Sequence, residues 1–175
     1  RRNKQVRKFI VPIRPEFHEK LFVGRHREQT LLKEHMGEFV IPGNTIEKAY
    51  VCNAPIKKIR AGDVVLFYRS RDLKAITSLG VVTQVSYDVE DAEKITRMVG
   101  KRTVYSKKEI QGIARSETLV LLFRLHFDLE RSIELEELVD AHIIRSAPQS
   151  IGEISHDRFE TFLKMSDIDD CYILH

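Results

Sequence analysis

Between Ala61 and Val85 the chain reads AGDVVLFYRSRDLKAITSLGVVTQV, two apolar runs on either side of a short, mostly cationic tip. No other stretch restricts the fold as much. Gly62-Asp63 opens the first run, in which Val64, Val65, Leu66, Phe67 and Tyr68 are β-branched, aromatic or apolar, and the run from Ala75 to Val85 is similar. The spacing predicts two antiparallel strands. Arg69, Ser70, Arg71, Asp72 and Lys74 then form a polar edge on a rigid apolar support, where a binding site is well placed.

The flanking sequence predicts more strands, joined by irregular helical connections. KFIVPI (Lys8 to Ile13) suits a strand closed by Pro12 and Pro15, and PEFHEKLF carries Phe17, Leu21 and Phe22 at helical spacing. Helix is expected to continue over Gln29 to His35 and to end at Gly37, with a turn at Pro42-Gly43-Asn44 and a strand from Thr45 to Cys52. After Val85, Asp91 precedes an amphipathic helix ended by Gly100, and Ser106-Lys107-Lys108-Glu109 matches a capping box. TLVLLFRLHFDL (Thr118 to Leu129) reads as a long central strand whose later half alternates Phe123, Leu125, Phe127 and Leu129 against Arg124, His126 and Asp128. Leu135 to Val139 is a short acidic helix, Ser155 caps a last helix, and Cys171 to Leu174 adds an edge strand. This pattern points to a mixed sheet or small barrel with peripheral helices.

Length and charge bound the function. At 175 residues, one domain over 1–175 is expected, with 1–7 as a basic, flexible leader or linker. The chain does not begin with Met, and an excised domain or processed product is expected. No apolar run approaches the roughly 20 residues that span a bilayer, so the expectation is a cytoplasmic protein with no membrane partner. Cys52 and Cys171 have no metal-ligand spacing and are read as reduced and structural. The net charge is only +3, but it is unevenly spread. Arg1 to Arg14 and Lys94 to Lys108 are basic and free of acids, whereas Glu134, Glu136, Glu137, Asp167, Asp169 and Asp170 crowd the later part. A phosphate-facing surface leaves such an asymmetry, and so does a solvated face.

Dinucleotide and Walker fingerprints, H-E-x-x-H and G-x-S-x-G are all absent, so no metal and no cofactor is expected, and no catalytic residue is assigned. What remains is interleaving of rings and cations at Tyr68-Arg69-Ser70-Arg71, Lys101-Arg102-Thr103-Val104-Tyr105-Ser106 and Phe123-Arg124-Leu125-His126. Rings stack on bases and guanidinium groups contact phosphates, although strands also carry Tyr and Phe for packing.

Arg60-Ala61-Gly62-Asp63 leading into a hydrophobic strand, followed by Ile76 to Val85 with its Gly80-Val81-Val82 step, resembles the PUA-like superfamily that includes the EVE, ASCH and YTH domains. Pro148-Gln149-Ser150-Ile151 ahead of SHDRFETFLKM is similar to the close of EVE-type domains. The resemblance runs from the Lys8–Ile13 strand to the last helix. It implies an α+β fold, a PUA-like mixed β pseudo-barrel with peripheral helices, whose concave pocket holds a flipped or modified base in RNA or DNA. It also implies fusion to or association with a catalytic domain, acetyltransferases among them. The chain departs from the pattern in having no Trp, which removes a YTH-type tryptophan cage, and in opening with VPIRPEFH where typical EVE domains are tryptophan-rich.

On that reading the chain is a nucleic-acid-binding reader, with a pocket formed by the end of the first strand, the hairpin tip and the polar face of the long strand. Arg14 and His18 border the pocket, Tyr68 stacks on a base, and Arg69, Arg71, Lys101 and Arg102 hold phosphates. Ser70, Arg124 and His126 complete its polar lining, and Gln149 and Ser150 hydrogen-bond a base edge. The rival readings are a hydrolase of acylated nucleosides on the same scaffold and a regulatory module of a larger acetyltransferase-like protein. Some ASCH-type proteins resemble such hydrolases, with Lys, Thr and Glu in the pocket; here Lys74 and Thr77 follow the opening strand.

Overall fold

KFIVPI is apolar at every position but its first, and the reason is that its strand is covered on both faces. In the computed structural model, which describes residues 6–22 and 47–168, this run forms β1 (Lys8–Ile13). α1 (Pro15–Phe22) follows, then β2 (Glu47–Cys52), β3 (Val64–Arg69) and β4 (Ala75–Ser86). Next come α2 (Ala92–Val99), a short 3-10 turn (Gly100–Arg102), α3 (Lys107–Ile113) and the long β5 (Leu119–Glu134). α4 (Leu135–Asp140), β6 (Gly152–Ile154) and α5 (His156–Met165) complete the described chain. The helix expected over Gln29 to His35, its end at Gly37, the Pro42-Gly43-Asn44 turn, the Cys171 to Leu174 strand and most of the basic leader lie outside the described residues.

The six strands form one mixed sheet in the order β2-β5-β4-β3-β1-β6. β3 and β4 pair antiparallel as expected, from Val64↔Val81 to Arg69↔Ala75. β1 runs parallel to β3, and the short β6 closes the other edge antiparallel to β1.

The Gly-Asp opening of β3 has a local cause. Gly62 sits at φ +91, a conformation that suits glycine. The buried Asp63 carboxylate then accepts the backbone N–H groups of Arg60 (2.8 Å) and Arg7 (3.2 Å). Gly62 N–H donates to the Val82 carbonyl and Val82 N–H to that of Asp63, both at 2.8 Å. The two halves of the sequence motif are therefore hydrogen-bonded to each other. Gly80 serves close packing instead, since a Cβ there would lie 2.8 Å from the Arg124 carbonyl and 2.9 Å from the Phe123 ring.

Alternation along β1 and β3 divides the core in two. Phe9, Val11, Ile13, Val65 and Phe67 face one cluster, which α1, α2 and α3 cover. Ile10, Val64, Leu66 and Tyr68 face the other, beneath α4 and α5. The helix ends match their sequence signals: Asp91 caps α2, Ser106 and Glu109 form the capping box of α3, and Ser155 caps α5. β5 extends five residues past the expected Leu129, because Ile133 and Glu134 return to pair with Ile76 and Ala75.

β2 and β1 are not neighbours in the ladder, yet the Tyr50 hydroxyl donates to the Pro12 carbonyl at 3.0 Å. The sheet curls back on itself and stops short of closing. Among the described residues no helix is long and apolar enough to cross a membrane.

Candidate functional site

The unclosed seam between β1 and β2 opens into a pocket of about 780 Å³, within the range of small-molecule and cofactor sites. One wall carries Pro12 and Arg14 from the end of β1 with Ser70, Arg71 and Lys74 from the β3–β4 tip. Opposite stand Tyr50 to Ala54 of β2 and its exit, together with Glu109, Gly112 and Ile113 of α3. Phe17 and Tyr105 add rings, and the segment from Ala147 to Ile151 closes the rim.

The aromatic side is built by packing. Phe17 and Tyr105 lie with ring centroids 4.6 Å apart, and Tyr50 and Tyr105 6.4 Å apart. Burial pushes the hydroxyls of Tyr50 and Tyr105 well above the usual tyrosine range, so both rings stay neutral. Cys52, half-buried in the same wall, has its thiol pushed up to about 12 by burial and is unsuited to nucleophilic work.

The polar side is cationic. Arg14, Arg71 and Lys74 are exposed, and among the described residues none of them forms an ion pair. Arg14 is anchored because its carbonyl accepts the Phe17 and His18 N–H groups at the start of α1. Arg71 (φ 71) and Lys74 (φ 50) both occupy the left-handed region, where a residue with a Cβ is strained. The tip is nevertheless held firmly. Arg69 donates to Asp72 and, at 2.8 Å, to Glu19 of α1, and this holds the Asp72 carboxyl down at about 2. Ser70 N–H donates to the Ile13 carbonyl (2.9 Å) and Leu135 N–H to that of Lys74 (2.8 Å).

Glu109 is the carboxylate in the pocket lining, and it is already engaged. Its Oε2 accepts the Ser106 N–H at 2.7 Å while Oε1 pairs with Lys20 at 3.3 Å. These contacts hold its carboxyl below the usual range. Asn53 is oriented too: its Nδ2 donates to the Ile113 (3.0 Å) and Glu117 (3.1 Å) carbonyls, which leaves Oδ1 as the arm able to accept. Among the described residues no group of three or more His, Cys, Asp or Glu could hold a metal ion.

Of the residues expected from the sequence, the pocket brings together Arg14, Ser70, Arg71, Gln149 and Ser150, with Tyr68 reaching its wall from the core. The rest are placed differently. Tyr68 is only 1% exposed and packs in the second core cluster, because β3 is buried on both faces; it offers no open ring for stacking. Arg69 is committed to Asp72 and Glu19 and positions the tip. His18 is buried and its Nε2 lies 2.7 Å from Thr77 Oγ1, with burial lowering it to about 4. Arg102 pairs with Glu47 at 2.8 Å. Arg124 and His126 are exposed on β5 and do not line the pocket, so the polar face of the long strand is not one of its walls. Lys101 falls in the 3-10 turn, and its side chain lies outside the described residues.

Tyr50, Asn53 and Glu109 line the pocket without a sequence signal for it, and Tyr105 lines it from the ring-and-cation run Lys101 to Ser106. They enter through the curl that carries β2 to β1, which no local pattern announces.

Solved structures similar to the chain include ASCH from Zymomonas mobilis, with TM-score 0.63 and 13% identity over 94% of this chain and 96% of that one. A mutant form of the same bacterial protein gives TM-score 0.67 and 12% identity over 91% and 96%. The human THYN1 protein, in complex with DNA containing 5-methylcytosine, gives TM-score 0.52 and 14% identity over 93% and 99%. At these identities the likeness is one of fold, and the chain has the PUA-like fold that its sequence resembles. No protein-family model and no curated protein matches the sequence.

Proposed function

We propose that this chain is a nucleic-acid-binding domain that takes an unpaired base of RNA or DNA, modified bases among them, into the pocket of the β1–β2 seam. One observation carries the reading: Arg14, Arg71 and Lys74, three cations that form no ion pair among the described residues, line the same pocket as the rings of Phe17, Tyr50 and Tyr105. Cations placed to meet phosphates and a partly exposed ring, Phe17, able to pack on a base are what a strand with one base turned inward requires. The Asn53 and Gln149 carboxamides add hydrogen-bonding groups at the rim, and the Gln149 Nε2 is turned onto the Ala147 carbonyl at 3.3 Å. That THYN1, of the same fold, is solved with DNA carrying a modified base supports a nucleic-acid partner here.

Binding is favoured over hydrolysis of an acylated nucleoside because Glu109 is committed to Ser106 and Lys20, and Thr77 hydrogen-bonds His18 outside the pocket lining. Lys74 alone of the Lys, Thr and Glu set then remains open in the pocket.

The test is binding of short RNA and DNA single strands, followed by fluorescence anisotropy at several salt concentrations. Three phosphate contacts give a slope of log affinity against log salt near about −2 for a single strand. Flat salt dependence, or absence of binding to either nucleic acid, refutes the reading.

A further inference from the structure

We propose that Leu73 is a wedge that enters the base stack of a duplex beside the pocket and fills the place of the base the pocket takes. The inference rests on the pocket being a base site. Among the described residues Leu73 is the large apolar side chain left exposed, at 44%. A lone exposed leucine is ordinary, but its setting is not.

Leu73 stands in the tip between Arg71 and Lys74, both of which line the pocket. Hydrogen bonds tie the tip to α1, to β1 and to the start of α4. Arg69 Nε lies 3.0 Å from Asp72 Oδ1, and that same oxygen accepts the Leu73 N–H at 2.6 Å. Glu19 holds Arg69 from α1, and the Ile13 and Lys74 carbonyls accept N–H groups of Ser70 and Leu135. An apolar group on a backbone tied down in this way loses less freedom on insertion than one on a mobile loop.

The flanking chemistry selects the partner. Removing a base from a duplex forfeits its stacking, and proteins that unstack a base step frequently insert an apolar side chain there. Cations on either side of that group meet the phosphates of the distorted strand. Arg71 and Lys74 are so placed, and their left-handed backbone departs from what their side chains prefer, as it does at functional turns. A single strand has no stack to repair and does not call on Leu73.

The experiment uses a short DNA duplex with a mismatched 2-aminopurine at its centre, and the same labelled strand alone. With the unaltered protein, fluorescence of the duplex rises on binding as the base leaves the stack. Leu73→Ala is expected to weaken duplex binding about tenfold and to abolish the rise, while single-strand affinity stays within about twofold. Leu73→Phe is expected to keep both. Because the side chain is exposed, neither variant should shift the melting midpoint. Unchanged duplex binding in Leu73→Ala, parallel loss on duplex and single strand, or an unaltered protein that binds only the single strand would each overturn the wedge and leave the pocket standing. An unaltered protein that binds neither form removes the pocket reading as well.

Discussion

Arg71→Gly separates the folding role of the β3–β4 tip from its binding role, because the two respond in opposite directions. Arg71 holds φ 71, and the left-handed region costs a residue with a Cβ about 1–2 kcal/mol. Glycine relieves that cost but gives the unfolded chain more freedom, worth about 0.5–1 kcal/mol. The net expectation is a gain of about 0.5–1 kcal/mol, which for a chain of this length raises the melting midpoint by about 1–4 °C. Binding moves the other way. Loss of a phosphate contact lowers the salt slope for single strands by about 0.7 and weakens affinity roughly fivefold to tenfold at low salt. Arg71→Ala is the control, since it loses the same contact and keeps the strained conformation. Calorimetry and anisotropy titrations on the three proteins decide the matter. A lower midpoint for Arg71→Gly than for Arg71→Ala refutes the strain argument, and oligonucleotide affinity equal to that of the unaltered protein refutes the phosphate contact.

Three further outcomes follow from the packing. His18 is held neutral, with its pKa lowered from 6.5 to about 4 by burial first and by Arg69 second. Its contribution is therefore full above pH 6.5 and lost as pH falls towards 4, about 3 kcal/mol in all; urea denaturation across that window should show the loss, and His18→Gln should flatten it. Tyr68→Phe removes a buried hydroxyl that has no hydrogen-bond partner among the described residues, so stability should hold or rise by up to about 1 kcal/mol with oligonucleotide binding unchanged. A clear loss of binding in that variant would return Tyr68 to the site. Gly80→Ala places a Cβ against the Arg124 carbonyl and the Phe123 ring and should cost about 1–3 kcal/mol in denaturant unfolding.

The framework of this fold is written locally. Gly62-Asp63, the Ser106 capping box and the Asp91 and Ser155 caps each act within a few residues, so their chemistry can be read from adjacent letters. β6 escaped because three residues, Gly152–Ile154, carry no period and form a strand only by pairing with β1. Tyr68 and Arg69 looked like a site for a similar reason: a ring followed by a guanidinium has the same sequence whether it faces solvent or core. Parallel pairing with β1 buries the ring, and Glu19 on α1 claims the guanidinium. Both partners are remote in the chain.

The same remoteness explains where the pocket lies. A sheet that closed would pair β2 with β1 and leave no room between them, whereas here the Tyr50 hydroxyl reaches the Pro12 carbonyl across the seam in place of a ladder. Tyr50 and Tyr105 are core residues by burial and pocket residues by position, so the seam borrows its aromatic wall from the hydrophobic core. Its cationic wall comes from the tip, whose rigidity depends on Arg69, Asp72 and Glu19 being satisfied among themselves. Internal pairing of Arg69 thus leaves Arg71 and Lys74, two and five residues further on, as the charges open to an outside partner. In the basic and acidic runs of this chain, the charges that matter for binding are those whose neighbours do not already neutralise them.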